Sequence, residues 1–273
     1  MLNNDQLARS KDFIFKNGRL LERVLYDYYF EGGPKEACIK ALLAYQNPDG
    51  GFGNGIEPDL LCPDSTAIGT ETALFVLDLL EVHEGSIVQD LVRWITGAQN
   101  EHGAIPHPPK NLFNYPFQPW WQNPDNNRVL VLAGMLKKWG IDNAAFYAKV
   151  KSYYQGVPLP ESGDFYGYPH FVYLRYCAEN QGDHADFSRM ISGLPELLAK
   201  HRAHFPLFSR YWYTAAEIVD GTTLKKGAED FVAAIQEDGG LEIPYLDLPW
   251  WRPIFTLDGL ILMKLYSMDG GIE

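Results

Sequence analysis

Only three cysteines occur in 273 residues, Cys38, Cys62 and Cys177, an odd number without the spacing of a disulfide framework. Free thiols in a reducing, cytoplasmic setting are expected. Basic residues are scarce as well, 23 Lys and Arg against 35 Asp and Glu, which leaves a formal net charge of -12. That balance excludes a nucleic-acid partner and an anionic membrane surface, both of which reward clustered Lys and Arg. No apolar run approaches the roughly 20 residues of a bilayer-spanning helix, so no integral membrane segment is expected. The opening MLNNDQLARSKDFIF has neither the basic segment and long apolar stretch nor the small-residue cleavage site of a secretion signal. Phosphate loops, G-x-G-x-x-G fingerprints and G-x-S-x-G elbows are all missing, and the spacing of Ser, His and Asp singles out no nucleophile. No Ser/Pro-rich linker or long charge run divides the chain, so residues 1–273 read as a single domain.

What is plentiful is apolar and aromatic residues, 46% and 14% of the chain, in a helical rhythm. Apolar residues recur three and four apart in about twelve segments, from QLARSKDFIFKN at the start through TALFVLDLLEV and VLVLAGMLKKWG to LDGLILMKLYSM. Segments such as LKKGAEDFVAAIQ carry charge along one face, whereas VLVLAGML and LDGLILM are apolar nearly all round. That alternation describes outer and inner members of six helical hairpins. Six hairpins in a ring make an all-α fold, an α/α toroid. Its inner helices would begin near Arg19, Asp64, Asn126, Tyr168, Ser209 and Pro253, with their positive dipole ends and unequal loops gathered at one mouth.

Four of these segments end in a glutamine followed by a glycine or proline turn and a bulky apolar residue. They are QNPDGGFG from Gln46, QNEHGAIP from Gln99, QGVPLPESGDF from Gln155 and QEDGGLEIP from Gln236. The first and last resemble the glutamine-aromatic repeats of the terpenoid cyclase and protein prenyltransferase superfamily, whose fold is this toroid. In that superfamily the glutamine ties an outer helix to the next loop and the aromatic packs over it, a structural role. The resemblance does not extend to the catalytic D-x-D-D stretch of terpene cyclases. Set against that stretch, TAIGTETAL places Ile68, Gly69, Thr70 and Glu71 at its four positions, so Glu71 alone retains a carboxyl. Nor is the Asp, Cys and His zinc set of prenyltransferases matched. Asp59, Cys62 and Asp64 stand in the wrong order without a His motif, and no metal or cofactor is expected.

Acids and tryptophans remain as candidates. The loop GNGIEPDLLCPDST supplies Glu57, Asp59 and Asp64, a cluster in which burial and like charge raise a carboxyl's proton affinity. Asp64 or Ser65 is equally suited to capping the helix that follows. Glu71 lies about two turns into an apolar helix, where a carboxylate is costly unless paired or functional. Aligning the inner helices places Asn127 and Asp258 at the position equivalent to Glu71 in other hairpins, giving either a polar ring facing a cavity or a structural seam. FQPWWQNPDNN and LDLPWWRPIF each precede an inner helix, so Trp120, Trp121, Trp250 and Trp251 are expected at the mouth, as ligand platforms or as plugs between hairpins. His107, His170 and Trp212 complete the candidate ligand-binding set. The expected function is binding of a small, largely apolar, possibly isoprenoid ligand in an aromatic, acid-lined cavity, with acid catalysis by Glu71, Asp258, Glu57, Asp59 or Asp64. A carbohydrate-active hydrolase or lyase and a non-catalytic binding module are the alternatives.

Overall fold

The computed structural model describes residues 2–161, 163–164, 167–202, 207, 210–243 and 247–266. The described residues are all-α, with isolated bridges but no strand. Twelve α-helices are present among them. They are α1 Asn4–Asn17, α2 Leu20–Tyr26, α3 Lys35–Leu43, α4 Ala67–Leu79, α5 Ser86–Ala98, α6 Arg128–Lys138, α7 Ala144–Gly156, α8 Tyr168–Cys177, α9 Gln181–His201, α10 Arg210–Ala215, α11 Gly221–Ala234 and α12 Trp251–Leu265. Each expected inner helix begins within three residues of its predicted start. None of the helices is long and apolar enough to cross a membrane.

Side-chain caps set several of the starts. Asn3 and Gln6 close a capping box on α1, with Asn3 accepting from the Gln6 N–H at 2.8 Å and Gln6 accepting from the Asn3 N–H at 3.1 Å. Asn143 and Asp220 cap α7 and α11. The cap of α4 is Thr66, which accepts from the Gly69 N–H at 3.0 Å, and not Asp64 or Ser65. Burial alternates as the sequence suggests. Residues Val129–Leu136 of α6 are all buried, while α5 buries one face through Ile87, Val88, Leu91, Trp94 and Ile95.

The chain forms two compact units, Met1–Ala41 with Ile191–Glu273, and Leu42–Met190. In the first unit α12 packs on α1, α2 and α11; in the second, α6 packs between α4 and α8 and also touches α7. The three cysteines are buried free thiols whose ionisation burial disfavours, up to about 11 for Cys38. They are inert on those grounds.

Three of the glutamine turns share one backbone. The Asn47 N–H donates to Gly51 O at 2.8 Å, the Asn100 N–H to Ala104 O at 2.8 Å and the Gln236 N–H to Gly240 O at 2.9 Å. Bridges Gln46 to Phe52 and Ile235 to Leu241 frame the first and last. Gln236 therefore stands where Asn47 stands, one residue out of the register its identity suggests, and Ile235 fills the glutamine position. Gln46 and Gln99 hold their turns through their side chains. Gln46 Nε2 donates to Gly50 O at 3.1 Å and to Ile87 O at 3.4 Å, and Gln99 Nε2 to Gly103 O at 3.0 Å and to Phe146 O at 3.3 Å. Each side chain thus ties the end of one helix to the first turn of another, α3 to α5 and α5 to α7. The fourth sequence copy begins at Gln155 within α7 and runs through Ser162 and Phe165, which lie outside the described residues.

The turn glycines admit no side chain. A Cβ would lie 2.1 Å from Asp90 O in α5 at Gly50, 2.3 Å from Lys149 O in α7 at Gly103, and 2.2 Å from Arg9 O in α1 at Gly239. All three have positive φ, 97°, 88° and 88°. Four residues further along those helices, Trp94, Tyr153 and Phe13 cover the turns. Ser10 Oγ adds a buried hydrogen bond to Gly239 O at 2.8 Å. Helix α1 therefore stands to the last turn as α5 stands to the first and α7 to the second. A threonine fixes the helix that follows: the Phe52 N–H donates to Thr70 Oγ1 at 3.2 Å, and the Leu241 N–H to Thr256 Oγ1 at 2.8 Å. In that register Thr256 matches Thr70, so Leu257 corresponds to Glu71, and Asp258 to Thr72. The helix alignment that pairs Asp258 with Glu71 is one residue off.

Gly239→Ala is expected to cost on the order of 4 kcal/mol, because backbone strain adds to the collision with α1. Gly32→Ala, at a φ of 73° with nothing within 4 Å, should cost only about 1 kcal/mol. Urea unfolding of the two variants reads the difference, and equal costs would remove the close approach as an anchor.

Candidate functional site

Two long loops of the second unit meet before α4 and α6. Leu60 and Phe117 form an antiparallel bridge, the Leu61 N–H donates to Pro116 O at 3.0 Å, and the Gln118 N–H donates to Asp59 O at 3.0 Å. Asp64 makes a second latch, accepting from the Asn111 N–H at 3.1 Å and from Asn111 Nδ2 at 2.9 Å. Leu60, Cys62, Ile68, Leu112 and Trp121 close an apolar cluster beneath, with Phe117 against it. This pairing carries the Pro119–Gln122 turn, and with it Trp120 and Trp121, onto the acids of the first loop.

Glu57 and Asp59 are both buried, 3% and 5% exposed, at places where a free carboxylate would lose most of its hydration. Glu57 accepts a short hydrogen bond from Thr72 Oγ1 on α4. Asp59 Oδ2 accepts from Trp120 Nε1 at 3.2 Å. Asp59 Oδ1 and Trp121 Nε1 make no hydrogen bond of sound geometry. Burial, and then the Glu57 charge, push the Asp59 carboxyl up to about 6, against the weaker opposing pull of the two indole N–H groups. His107 adjoins on the other side: its Nε2–H donates to Trp121 O at 2.9 Å, and its ring meets the Trp121 indole edge-on at 5.7 Å. Burial lowers the His107 pKa and favours the neutral ring.

Next to His107 lies the buried charge network that holds Glu71. Arg128 opens α6, where the helix dipole disfavours a cation, and carboxylates compensate. Its Nε donates to Asp125 Oδ2 at 2.6 Å, and its Nη1 to the Glu71 oxygens at 3.3 and 3.2 Å. Tyr168, first residue of α8, donates a short hydrogen bond to Glu71 Oε1, accepts one from Arg128, and lies under the guanidinium at 5.3 Å. The side chain of Glu71 is 0% exposed and that of Arg128 15%. Neither Arg128 nor Tyr168 was among the candidates from sequence. The legible signal was a single cation opening the apolar run RVLVLAGML, close to a buried acid with no other partner in view.

The remaining candidates separate. Asn127, at the cap of α6, accepts from the Tyr153 hydroxyl at 2.9 Å. His170 is buried in α8 with Nε2 unpartnered, and burial lowers its pKa to about 4. Asp258, Trp212, Trp250 and Trp251 belong to the first unit. Asp258 accepts from the Tyr213 hydroxyl at 3.1 Å. Trp212, 2% exposed, packs its ring edge over Gly227. Trp251 stacks on Phe255 at 4.8 Å, and Trp250 is 44% exposed. Among the described residues no group of three or more His, Cys, Asp and Glu is arranged to hold a metal ion.

No family model, curated protein or solved structure matches the chain.

Two carboxyls in one cluster thus have opposite environments, and stability separates them. Glu71→Gln leaves the Arg128 charge under-compensated and is expected to cost about 3 kcal/mol, whereas Glu71→Leu with Arg128→Met should recover most of that loss. Asp59 behaves with the other sign. Its folded pKa lies above its ordinary 3.8, so its contribution is fully present below that value and is lost as pH rises through about 6. Wild-type protein should therefore lose roughly 3 kcal/mol relative to Asp59→Asn across that window, read as the pH dependence of the urea midpoint of each.

Proposed function

We propose that this chain is a terpenoid-cyclase-like protein of α/α-toroid architecture that binds a small, largely apolar ligand against Trp120 and Trp121 and donates a proton to it from Asp59. The observation that carries the reading is the Asp59 carboxyl. It is buried, one oxygen is held by the Trp120 indole and the other makes no hydrogen bond, beside an aromatic surface of which Trp120 is 43% exposed. The toroid reading rests on the turn repeat, on the side-by-side packing of α4, α6 and α8, and on α1 supplying the outer helix for the last turn.

The preference for an apolar ligand over a sugar follows from how the polar groups are used. A sugar is held by many hydrogen bonds, yet Glu57, Glu71, Asp125 and Asn127 are each engaged by Thr72, Arg128 or Tyr153. What remains is the partly exposed Trp120 ring and, buried beside it, one carboxyl oxygen without a hydrogen bond, which suits an olefin or epoxide carrying a single basic position. In the proposed step the Asp59 O–H bond breaks and its proton forms a C–H bond at an alkene carbon. The resulting cation then gives a proton from an adjacent carbon back to the Asp59 carboxylate, which restores the acid. Arg128 keeps Glu71 charged and in place, and His107 fixes the Trp121 backbone. The carbohydrate reading keeps one point in its favour, the pairing of a partly exposed tryptophan with two neighbouring carboxyls.

Incubation with isoprenoid alcohols, isoprenoid diphosphates and oligosaccharides, followed by native mass spectrometry of bound and released masses, tests the proposal. An isoprenoid adduct or isomerised product is expected. Asp59→Asn should keep binding within about threefold and lose turnover by roughly 10²-fold or more. Turnover needs the protonated acid, so the rate should fall about tenfold per pH unit above about 6. Shortened sugars would replace the reading with the glycosidase one. Unchanged turnover in Asp59→Asn would remove Asp59 as the acid.

A further inference from the structure

We infer that the paired loops of the second unit form a docking face for the surface of a zwitterionic lipid bilayer, which Leu61, Phe113, Tyr115 and Trp120 enter. The face shares Trp120 with the acid cluster but does not rest on proton donation by Asp59.

The face follows from alternation. Leu60 bridges Phe117 and the Leu61 N–H meets Pro116 O at 3.0 Å, so the two loops run side by side there, and successive side chains of an extended segment leave it on opposite sides. Leu60 and Cys62 go inward to the apolar cluster, and Leu61 between them is exposed. The adjoining turns repeat the division. Leu112 and Trp121 go inward, while their neighbours Phe113 and Trp120 are exposed, Phe113 to 69%, as is Tyr115. Half-buried Phe117 joins the two sets, since it bridges Leu60 and meets the Phe113 ring edge-on at 5.6 Å. A segment with one face on the core ordinarily carries polar side chains on the other. Here the outward face is apolar as well, and the loop pairing, the Asp64–Asn111 latch and the inward cluster hold it in place.

The chemistry of the face selects lipid. No Asp, Glu, Lys or Arg occurs from Asn111 to Pro124 or from Leu60 to Pro63, in a chain of net charge -12. Asp59 and Asp64, at the ends of the shorter segment, accept from Trp120 and Asn111. The exposed polar neighbours Asn114, Gln122 and Asn123 are uncharged amides, able to exchange hydrogen bonds with headgroups. Aromatic rings with a polar edge, such as Tyr and Trp, favour the boundary between headgroups and acyl chains. An anionic bilayer would meet the like charge of the whole chain.

The size of the face points the same way. At roughly 150–250 Å² for a large side chain, the four exposures leave on the order of 400 Å² of apolar surface, about half of the roughly 800 Å² that each partner gives a stable dimer. A bilayer closes around protruding side chains whatever their outline, whereas a second copy must match it.

Flotation with phosphatidylcholine vesicles tests the face. Wild-type protein is expected to rise with the vesicles, with little dependence on salt, and to bind less well when phosphatidylserine is added at low salt. Phe113→Ser should weaken binding about tenfold and Phe113→Ser with Leu61→Ser about 10²-fold, while Phe113→Leu keeps it within about threefold. These positions are exposed, so the urea midpoints should stay at the wild-type value. Should the double variant fail to fold, Phe113→Ser with Tyr115→Ser takes its place with the same expectation. Protein that stays behind when the vesicles float, or equal flotation of wild type and Phe113→Ser, would overturn the proposal. Self-association in sedimentation that Phe113→Ser abolishes would also overturn it, giving the face to a second copy. Each variant keeps Asp59, Trp120 and Trp121, so the isoprenoid assay judges the acid separately.

Discussion

Where a turn glycine lies against the carbonyl of a neighbouring helix, nothing else can stand between the two backbones. At Gly50, Gly103 and Gly239 a single added carbon would sit little more than 2 Å from a helix oxygen. This approach fixes the turn, the turn fixes a threonine or a cap on the helix that follows, and the covering aromatic four residues along the outer helix seals the joint. Because a helix carbonyl cannot be moved without moving its helix, α4 inherits its position from α5, and α12 from α1. The site is two further steps along that chain of dependence. Phe52 and Thr70 place α4, and α4 places Thr72 and Glu71 beside the loops.

The chemistry of the second unit then follows from which acids receive a counter-charge. Glu71 is the more deeply buried, yet Arg128 and Tyr168 stand against it, so its charge is supported by the protein. Asp59 is buried beside another carboxyl, with only indole N–H groups near it, so its neutral form is favoured. The two carboxyls are separated by environment alone: one is held against a guanidinium and a phenol, and the other is pushed toward its neutral form. Arg128 has a double use. It answers the cost of Glu71, and through Asp125 it answers its own unfavourable place at the start of α6.

Much of this was legible in the residues, for identifiable reasons. Helix periodicity is strong where one face is buried, and a run such as VLVLAGML announces burial all round, so the twelve helices of the described residues could be read. Glu57, Asp59, Trp120, Trp121, His107 and Glu71 were legible as candidates because acids and aromatics in loops before helices are conspicuous. Their union was not, since it depends on the bridge of Leu60 with Phe117, a pairing between loops about sixty residues apart that has no local signature. The register of the last turn was misleading for a similar reason. A glutamine is easy to see, but the Gly-Gly pair pressed on α1 decides the register, and it puts Gln236 in the place of Asn47. Thr66 caps α4 because its backbone is extended at that point, a property that Asp64 and Ser65 match in composition but not in position.

The corrected register also shows how one repeat supports two different neighbourhoods. Thr70 and Thr256 do the same work, each accepting from the N–H that ends its turn. The residues just after them diverge. In α4 they are Glu71 and Thr72, which meet Arg128 and Glu57; in α12 they are Leu257 and Asp258, of which the first is core and the second meets Tyr213. A side chain that satisfies a turn is constrained by backbone geometry and has few substitutes. The next two positions point along the same helix but owe nothing to the turn, and they can change chemistry without disturbing the joint. The threonine positions are therefore where substitution reports on the turn, and the two positions after each are where the helices differ in the partners they meet.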